Sequence, residues 1–233
     1  MISLVLPFWN RQKVADLAVS HLDRCYAGLD LEVIIVDDGS DIEYVKPVTR
    51  LDLKVVTLPK KNGPMSACVP YNEGVKASSR EFIALSGTDI IHSAPILADM
   101  RDAIMDDNDY VIAAAFCNEQ NRWHCHSSMQ RNDRTDVGSY LPPGADYHFM
   151  TMLKRSLWDK AGGFDAAYRE GAGYEDPDFV RRLHAVGARF VRRDDLIVTH
   201  RRTDAKTPWT HAMLQKNREL FLSKWKPLRT DAA

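Results

Sequence analysis

At 233 residues, with 31 basic and 32 acidic side chains and a formal net charge of −1, the chain suits one large domain and has no general attraction for nucleic acid or anionic membrane. No apolar run approaches the roughly 20 residues that span a bilayer, and the opening MISLVLPFWNR lacks a basic leader, its apolar run stopping at Pro7. Four cysteines at irregular spacing, Cys25, Cys68, Cys117 and Cys125, outline no disulfide framework, so the expectation is a soluble, reduced, cytoplasmic protein.

In chain order, Ile2–Leu6 reads as a first strand. Val14, Leu17, Ala18, His21, Leu22 and Cys25 recur at helical spacing and predict a helix over 13–26. Leu31–Val36 is a continuous aliphatic run, as in a strand covered on both faces of a parallel sheet, and it stops at Asp37-Asp38-Gly39-Ser40. Lys54–Leu58 predicts a third strand, Ala67–Ser78 a helix, and Glu81–Leu85 a fourth strand ending in Ser86-Gly87-Thr88-Asp89. Ser93 is placed to cap a helix over Pro95–Met105, and Tyr110–Phe116 is a fifth strand. This alternation predicts an open α/β sheet whose strand ends, Pro7–Asn10, Asp37–Ser40 and Ser86–Asp89, line one edge, where ligands bind in such folds. The rhythm breaks at Cys117–Tyr147, a long polar stretch with Gly and Pro that reads as a functional loop. A strand over Tyr147–Leu153, a helix over Arg155–Ala161, strands Arg189–Val191 and Leu196–Thr199, and a helix from about Trp209 to Trp225 follow. The chain thus divides into a half over 1–116 and a half over 117–233 of one compact domain.

The stretch Gly162–Arg182, GGFDAAYREGAGYEDPDFVRR, sets Glu175 and Asp176 between a glycine-rich loop and a helix start. Pro177 suits the first helical position and Asp176 the cap before it, while Gly187 is placed to end the helix. Asp176 reads equally as a helix cap or as a catalytic base.

Taken together, these clusters resemble a family 2 glycosyltransferase of the GT-A (Rossmann-like) fold. The resemblance runs from about Ile2 to His200 and rests on LVLPFWNR, EVIIVDDGS, Asn62-Gly63 with Ala67 and Asn72-Glu73-Gly74, GGFDAAYREGAGYEDPDFVRRL, and VTH ending in His200. It implies a mostly parallel open sheet flanked by helices, with a C-terminal acceptor-side region. It further implies transfer of a sugar from a nucleotide-diphosphate donor, UDP-linked on this reading, to an acceptor hydroxyl with inversion. Asp176 would be the base, with Glu175 orienting acceptor or sugar. Pro7, Phe8, Trp9, Asn10, Asp37, Asp38, Asn62 and Asn72 would form the nucleotide side. Asp89 and His200 would hold a divalent cation, Mn²⁺ or Mg²⁺, on the diphosphate. The acceptor would be a glycan, a lipid-linked intermediate, a protein or a modified nucleobase, and an oligomer is compatible with the sequence.

The residues bear this out in part. An acid at the end of a buried strand can accept the imide N–H of uracil, for which Asp38 is the better candidate, or Asp37 and Asp38 form an Asx-type turn with Gly39. Trp9 offers a flat face for a base, or it packs at the sheet edge. Two departures stand out. The family's usual Arg before the second Asn is Tyr71, and the usual Asp-X-Asp reads Gly87-Thr88-Asp89, so one carboxylate is missing. Hard cations tolerate a single protein carboxylate with phosphate oxygens and water, so Asp89 with His200 suffices once a nucleotide is present. The alternative is a catalytically silent sugar-nucleotide-binding module. No G-x-G-x-x-G turn follows the first strand, which disfavours a dehydrogenase. Arg122-Trp123-His124-Cys125-His126 with Cys117 carries zinc-type ligands but lacks a C-x₂-C pair or a matching second half; the plain alternative is a loop whose Trp123 covers donor or acceptor. Arg192-Arg193 and Arg201-Arg202 are either a diphosphate-neutralising cluster or a solvated face.

Overall fold

The computed structural model describes residues 1–60, 66–128, 135–201 and 210–228. Its strands are β1 (Ile2–Phe8), β2 (Leu31–Asp37), β3 (Asp52–Thr57), β4 (Phe82–Ser86), β5 (Ile90–Ile91), β6 (Asp109–Cys117), β7 (Arg122–Cys125), β8 (Met150–Lys154) and β9 (Arg189–His200). Its helices are α1 (Gln12–Tyr26), α2 (Cys68–Ala77), α3 (Leu97–Asp102), α4 (Arg155–Ala161), α5 (Glu175–Ala185) and α6 (His211–Lys224). One sheet joins the strands in the order β3-β2-β1-β4-β8-β6-β9-β5, with β7 on β6. β1 pairs in parallel with β2 and β4, and β2 with β3. β8 enters antiparallel to both β4 and β6, so β6 and its parallel partner β9 run with the first four strands. Among the described strands only β5, β7 and β8 oppose them, and the expected, mostly parallel α/β sheet is what forms.

Chain direction reverses across the sheet at β1, with β2 on one side and β4 on the other. The crevice beyond their C-terminal ends is where an open α/β sheet binds ligands. β2 explains its place: all seven of its residues are buried, as a central parallel strand requires.

Four sequence expectations shift. Helix α1 buries Ala15, Ala18, Val19, Leu22 and Tyr26, a face rotated from the predicted stripe; it is set by Tyr26, whose hydroxyl bonds His92 Nδ1 at 2.7 Å and accepts the Ile96 N–H at 3.1 Å. That second bond also explains α3, which begins at Leu97 with no side-chain cap, so Ser93 does not cap it. The two late strands are one, β9, in which the register jumps from Ala113–Arg193 to Ala114–Ile197 and leaves Asp194, Asp195 and Leu196 in a bulge. Finally, the polar stretch after Phe116 is not all loop. It opens with the β6–β7 hairpin, whose turn holds Asn121 at φ +48°, and a 3₁₀ turn spans Thr135–Tyr140.

Candidate active site

Helix α5 starts earlier than its proline suggests. Gly173 and Tyr174 are both left-handed, at φ +65° and +68°, and this turns the chain abruptly so that Glu175 is the first helical residue. A positive φ is uncommon for a non-glycine residue. Asp176 therefore sits inside the first turn and not at the cap, a correction to the cap reading. Glu175, Asp176 and Asp178 all lie in that turn, where the helix dipole favours anions.

Beneath them is a floor of rings. Phe179 stacks on Phe164 at 4.4 Å, Trp158 packs on both, and His148 lies edge-on to Phe164 and Phe179. Glu175 is 8% exposed, its Oε2 has no hydrogen-bond partner, and Asp176 is about a third exposed, at 35% of its side chain. Burial pushes the Glu175 carboxyl well up, and the neighbouring Asp176 adds to it. Burial likewise raises Asp176. Desolvation thus outweighs the dipole.

His148 is the residue the sequence did not single out. Burial pulls its pKa down to about 4, so it is neutral near pH 7. Its Nδ1 bonds the Tyr110 hydroxyl, which donates to Thr151 Oγ1 at 3.0 Å, and its Nε2 faces Asp176 Oδ1 at 3.9 Å. The only sequence signal was a polar residue opening an apolar strand.

The acid pair opens onto a cavity of about 520 Å³ walled by Val137, Tyr147, Phe149, Gly173–Pro177 and, from α6, by His211, Leu214, Gln215 and Arg218. Helix α6 is held there by Asn217, fully buried, whose Nδ2 donates to Tyr168 O at 3.0 Å and Gly173 O at 2.8 Å. Phe221 packs inward beside it, while Leu214 is 39% exposed at the cavity wall. Below the loop, Asp178 accepts the Tyr168 hydroxyl and Trp225 Nε1 at 3.0 and 2.8 Å.

At the sheet edge most of the residues expected on the nucleotide side come together, with divided partners. Asp37 spends both oxygens on its own turn, accepting Ser40 N at 3.0 Å and Tyr44 N at 2.8 Å. Asp38, buried beside it, faces Arg169 Nη2 at 3.4 Å. Phe8 is buried against Tyr44, so its ring cannot meet a base; its carbonyl accepts Asp38 N at 2.9 Å. The Pro7 carbonyl accepts Thr88 Oγ1 at 3.3 Å. Asn10, at φ +54°, pairs its amide with Asp41 at 2.9 and 2.8 Å, and Trp9 is half-buried at the same corner. Asn72 departs from its expected nucleotide role: both its amide atoms are engaged by the Phe164 main chain, at 2.8 and 2.9 Å, clamping α2 to the glycine-rich segment. Asn62 lies outside the described residues.

Asp89 and His200 do meet. β5 pairs with β9 so that Ile90 lies opposite His200. Asp89 Oδ2 stands 3.7 Å from His200 Nε2 and 3.6 Å from Arg11 Nη1. His200 Nδ1 is buried with no hydrogen-bond partner. A Cβ at Gly87 would meet Asp89 Oδ1 at 2.5 Å, so a first acid there would have to turn the Asp89 carboxylate aside. Tyr71, in the place of the expected Arg, links the two parts: its hydroxyl donates to Ser86 O at 3.1 Å, and the charges of Asp176, Asp89 and Glu175 all add to the burial that raises its pKa.

Other clusters resolve differently. Arg192 pairs with Asp146 at 3.1 Å and Arg193 with Asp195 at 2.6 Å, so they are not free to neutralise a diphosphate; Arg201 is exposed and Arg202 lies outside the described residues. Trp123 stacks on His126 at 4.2 Å and meets Phe116 edge-on, which packs it down in place of a covering role. Ligand atoms of Cys117, His124 and His200 lie within 4.8 Å of one another. Among the described residues no helix is long and apolar enough to cross a membrane.

The family model described as glycosyl transferase family 2 matches residues 3–170. A dolichol-phosphate mannosyltransferase of Pyrococcus furiosus is 24% identical over 175 residues, covering 72% of this chain and 46% of its own length. Among solved structures, the mannosyltransferase PcManGT from Pyrobaculum calidifontis, in complex with GDP-Man and Mn²⁺, superposes with a TM-score of 0.64 at 16% identity over 97% of this chain and 65% of that one. S. aureus TarS 1–349 in complex with UDP-GlcNAc gives a TM-score of 0.67 at 18% identity over 88% of this chain and 60% of that one. The chain spans under half of the first of these relatives and under two thirds of the two solved chains.

Proposed function

This chain belongs to glycosyl transferase family 2, and on that premise we propose that it moves a sugar with inversion from a UDP-sugar to an acceptor hydroxyl, with Asp176 as base. The observation that carries the proposal is the acid pair at the start of α5, raised by burial and opening onto the 520 Å³ cavity. A general base works best with a pKa near the operating pH, and burial moves Asp176 toward that range. Its carboxylate takes the acceptor O–H proton while the acceptor oxygen forms its bond to the anomeric carbon. The bond from that carbon to the diphosphate breaks on the opposite face, and its electron pair leaves with UDP. Glu175, more deeply buried and held protonated, is suited to donating a hydrogen bond to acceptor or sugar. His148 Nε2, buried and 3.9 Å from Asp176 Oδ1, places a neutral imidazole beside the base.

On the donor side, Asp38 is the proposed partner of the uracil imide and Trp9 the face for the base. TarS, whose complex holds UDP-GlcNAc, supports a UDP donor, while the GDP-Man complex makes GDP the alternative to be tested. The residues at the diphosphate corner fit a divalent cation: one carboxylate, Asp89, and an imidazole, His200, whose Nε2 faces it at 3.7 Å. Such an ion, Mn²⁺ as in the PcManGT complex or Mg²⁺, would neutralise the leaving diphosphate. Arg11, 3.6 Å from Asp89, adds a fixed positive charge at the same corner. The acceptor is a glycan, lipid-linked intermediate, protein or modified nucleobase hydroxyl that enters beneath α6.

The test is a thermal-shift screen of nucleotides and nucleotide sugars with and without Mn²⁺, followed by donor hydrolysis by the wild type and Asp176→Asn. A specific binder raises the melting temperature by mass action. Stabilisation by UDP and hydrolysis lost in Asp176→Asn are expected. Binding without hydrolysis of any donor would favour a silent binding module, the reading that Gly87 keeps in play. No response to any nucleotide sinks both.

A further inference from the structure

We infer that Cys117, His124 and His200 form a site for a soft divalent cation of the zinc class, held by the protein before any donor arrives. The inference does not rest on the transferase reading. One ligand atom from each residue lies within 4.8 Å of the other two. The residues come from three neighbouring strands, with β6 pairing to both β7 and β9: Cys117 closes β6, His124 is in β7 and His200 closes β9. The site is therefore mounted on sheet and not on loop. Its second half was invisible in the sequence because it arrives on β9, far along the chain from the Cys-His cluster.

The surroundings suit a metal. Cys117 is fully buried, and the His124 and His200 rings tilt against each other at 4.7 Å and against Phe149 at 5.4 and 5.1 Å. Buried, unpartnered His200 Nδ1 is a lone pair or N–H that costs free energy as it stands. His124 Nε2 is engaged by Gln120 Oε1 at 2.9 Å, the outer hydrogen bond that ligating histidines usually make and that leaves the lone pair on the other nitrogen. Cys117 Sγ lies 3.6 Å from Glu119 Oε2, which can receive the thiol proton that metal binding releases to solvent. One thiolate and two imidazoles suit Zn²⁺, with water in a fourth position. Mn²⁺ and Mg²⁺ prefer oxygen, so this donor set selects against the ions expected at the diphosphate.

The experiment is titration of chelator-stripped, desalted full-length protein with Co²⁺ in the absence of nucleotide, read by absorbance, then back-titration with Zn²⁺. The expected result is one equivalent bound, with a thiolate-to-cobalt charge-transfer band that Zn²⁺ abolishes. The band should vanish in Cys117→Ser, a nearly isosteric change, and persist in Cys125→Ser, which alters the neighbouring buried thiol. Gln120→Ala should weaken uptake by roughly 10–100-fold, and His124→Ala by more. Three outcomes overturn the proposal: no charge-transfer band in the wild type, a band that survives Cys117→Ser, or uptake that requires UDP and Asp89 but not Cys117. The last assigns the ion to the diphosphate and leaves the transferase reading standing. Failure of UDP binding with the band intact would sink that reading and spare this one.

Discussion

Glu175 and Asp176 stand on a floor of buried rings, while Asp89 and His200 stand at an open sheet edge among other polar groups. The first pair gains its character from desolvation: two carboxylates, one of them 8% exposed, sit over Phe179, Phe164 and Trp158. The second gains it from pairing, with Asp89 between Arg11 and His200 at 3.6 and 3.7 Å. Burial tunes protonation and fixes geometry, as a base requires. Partial exposure leaves room for an ion or a diphosphate to replace those pairings. Damage to the two regions should therefore register differently, as lost turnover on the acid side and lost donor binding at the corner.

The largest effect is expected for Asp176→Asn, which keeps shape and removes the proposed base. Turnover should fall by roughly 10²–10⁴-fold, with UDP-induced stabilisation retained. If Asp176→Asn is mild and Glu175→Gln is severe, the two acids exchange roles; if nucleotide binding collapses as well, the distinction between the regions fails. Asp89→Asn should show the reverse pattern. Losing the charge that serves the leaving group should cost roughly 10²-fold in turnover, together with a weaker and less Mn²⁺-dependent shift in melting temperature with UDP. An unchanged Mn²⁺ response would remove Asp89 from the corner's function.

Opposed pH slopes offer a third comparison. A carboxyl whose folded pKa is raised holds more protons folded than unfolded, so its contribution falls as pH rises. For Glu175 the loss begins at its ordinary value of 4.5 and continues upward to the raised folded value. Activity should climb as pH rises through the raised folded pKa of Asp176, where the proposed base ionises. Melting temperatures of the wild type should therefore fall relative to Glu175→Gln from about pH 4.5 upward, and parallel curves would show that Glu175 is not held protonated. Smaller still is Asn217→Ala, which removes the two bonds from α6 to the loop carrying the acids and should destabilise by about 1–3 kcal/mol. Gly171 is packed against that amide, leaving no space for a Cβ, so Gly171→Ala should cost a similar amount.

What was legible in the sequence follows the same division. β2 declared itself because a buried parallel strand is continuously aliphatic, and Gly162–Arg182 because loop, acids and helix lie in one stretch. The exact helix start did not, because Tyr174 takes a left-handed conformation that nothing in its type announces. His148 and Asn217 look like ordinary polar residues until packing brings Asp176 to the one and the loop carbonyls to the other. Asn72 matched a motif, yet its amide is spent on Phe164. The corner at His200 was half-legible: Asp89 and His200 followed from resemblance, but Cys117 and His124 reach it only through strand pairing.

Gly87 makes the smallest and most discriminating test. Read from the sequence, it is a lost carboxylate, and Gly87→Asp ought to restore a cation site. The packing argues otherwise, because Asp89 Oδ1 already lies where a side chain from position 87 would begin, 2.5 Å from a Cβ. The obstacle is the end of a flexible side chain, and the Gly87 backbone is not left-handed, so the fold should tolerate both Gly87→Ala and Gly87→Asp within about 1 kcal/mol. Either change should turn the Asp89 carboxylate aside, one acid being gained only as the other is displaced. Mn²⁺ titration of the UDP-induced stabilisation should therefore show no gain in Gly87→Asp and a slight loss in Gly87→Ala. A clear gain in Gly87→Asp would mean that both acids fit, that the corner had lost a ligand, and that the silent-module reading deserves the weight now given to Asp176.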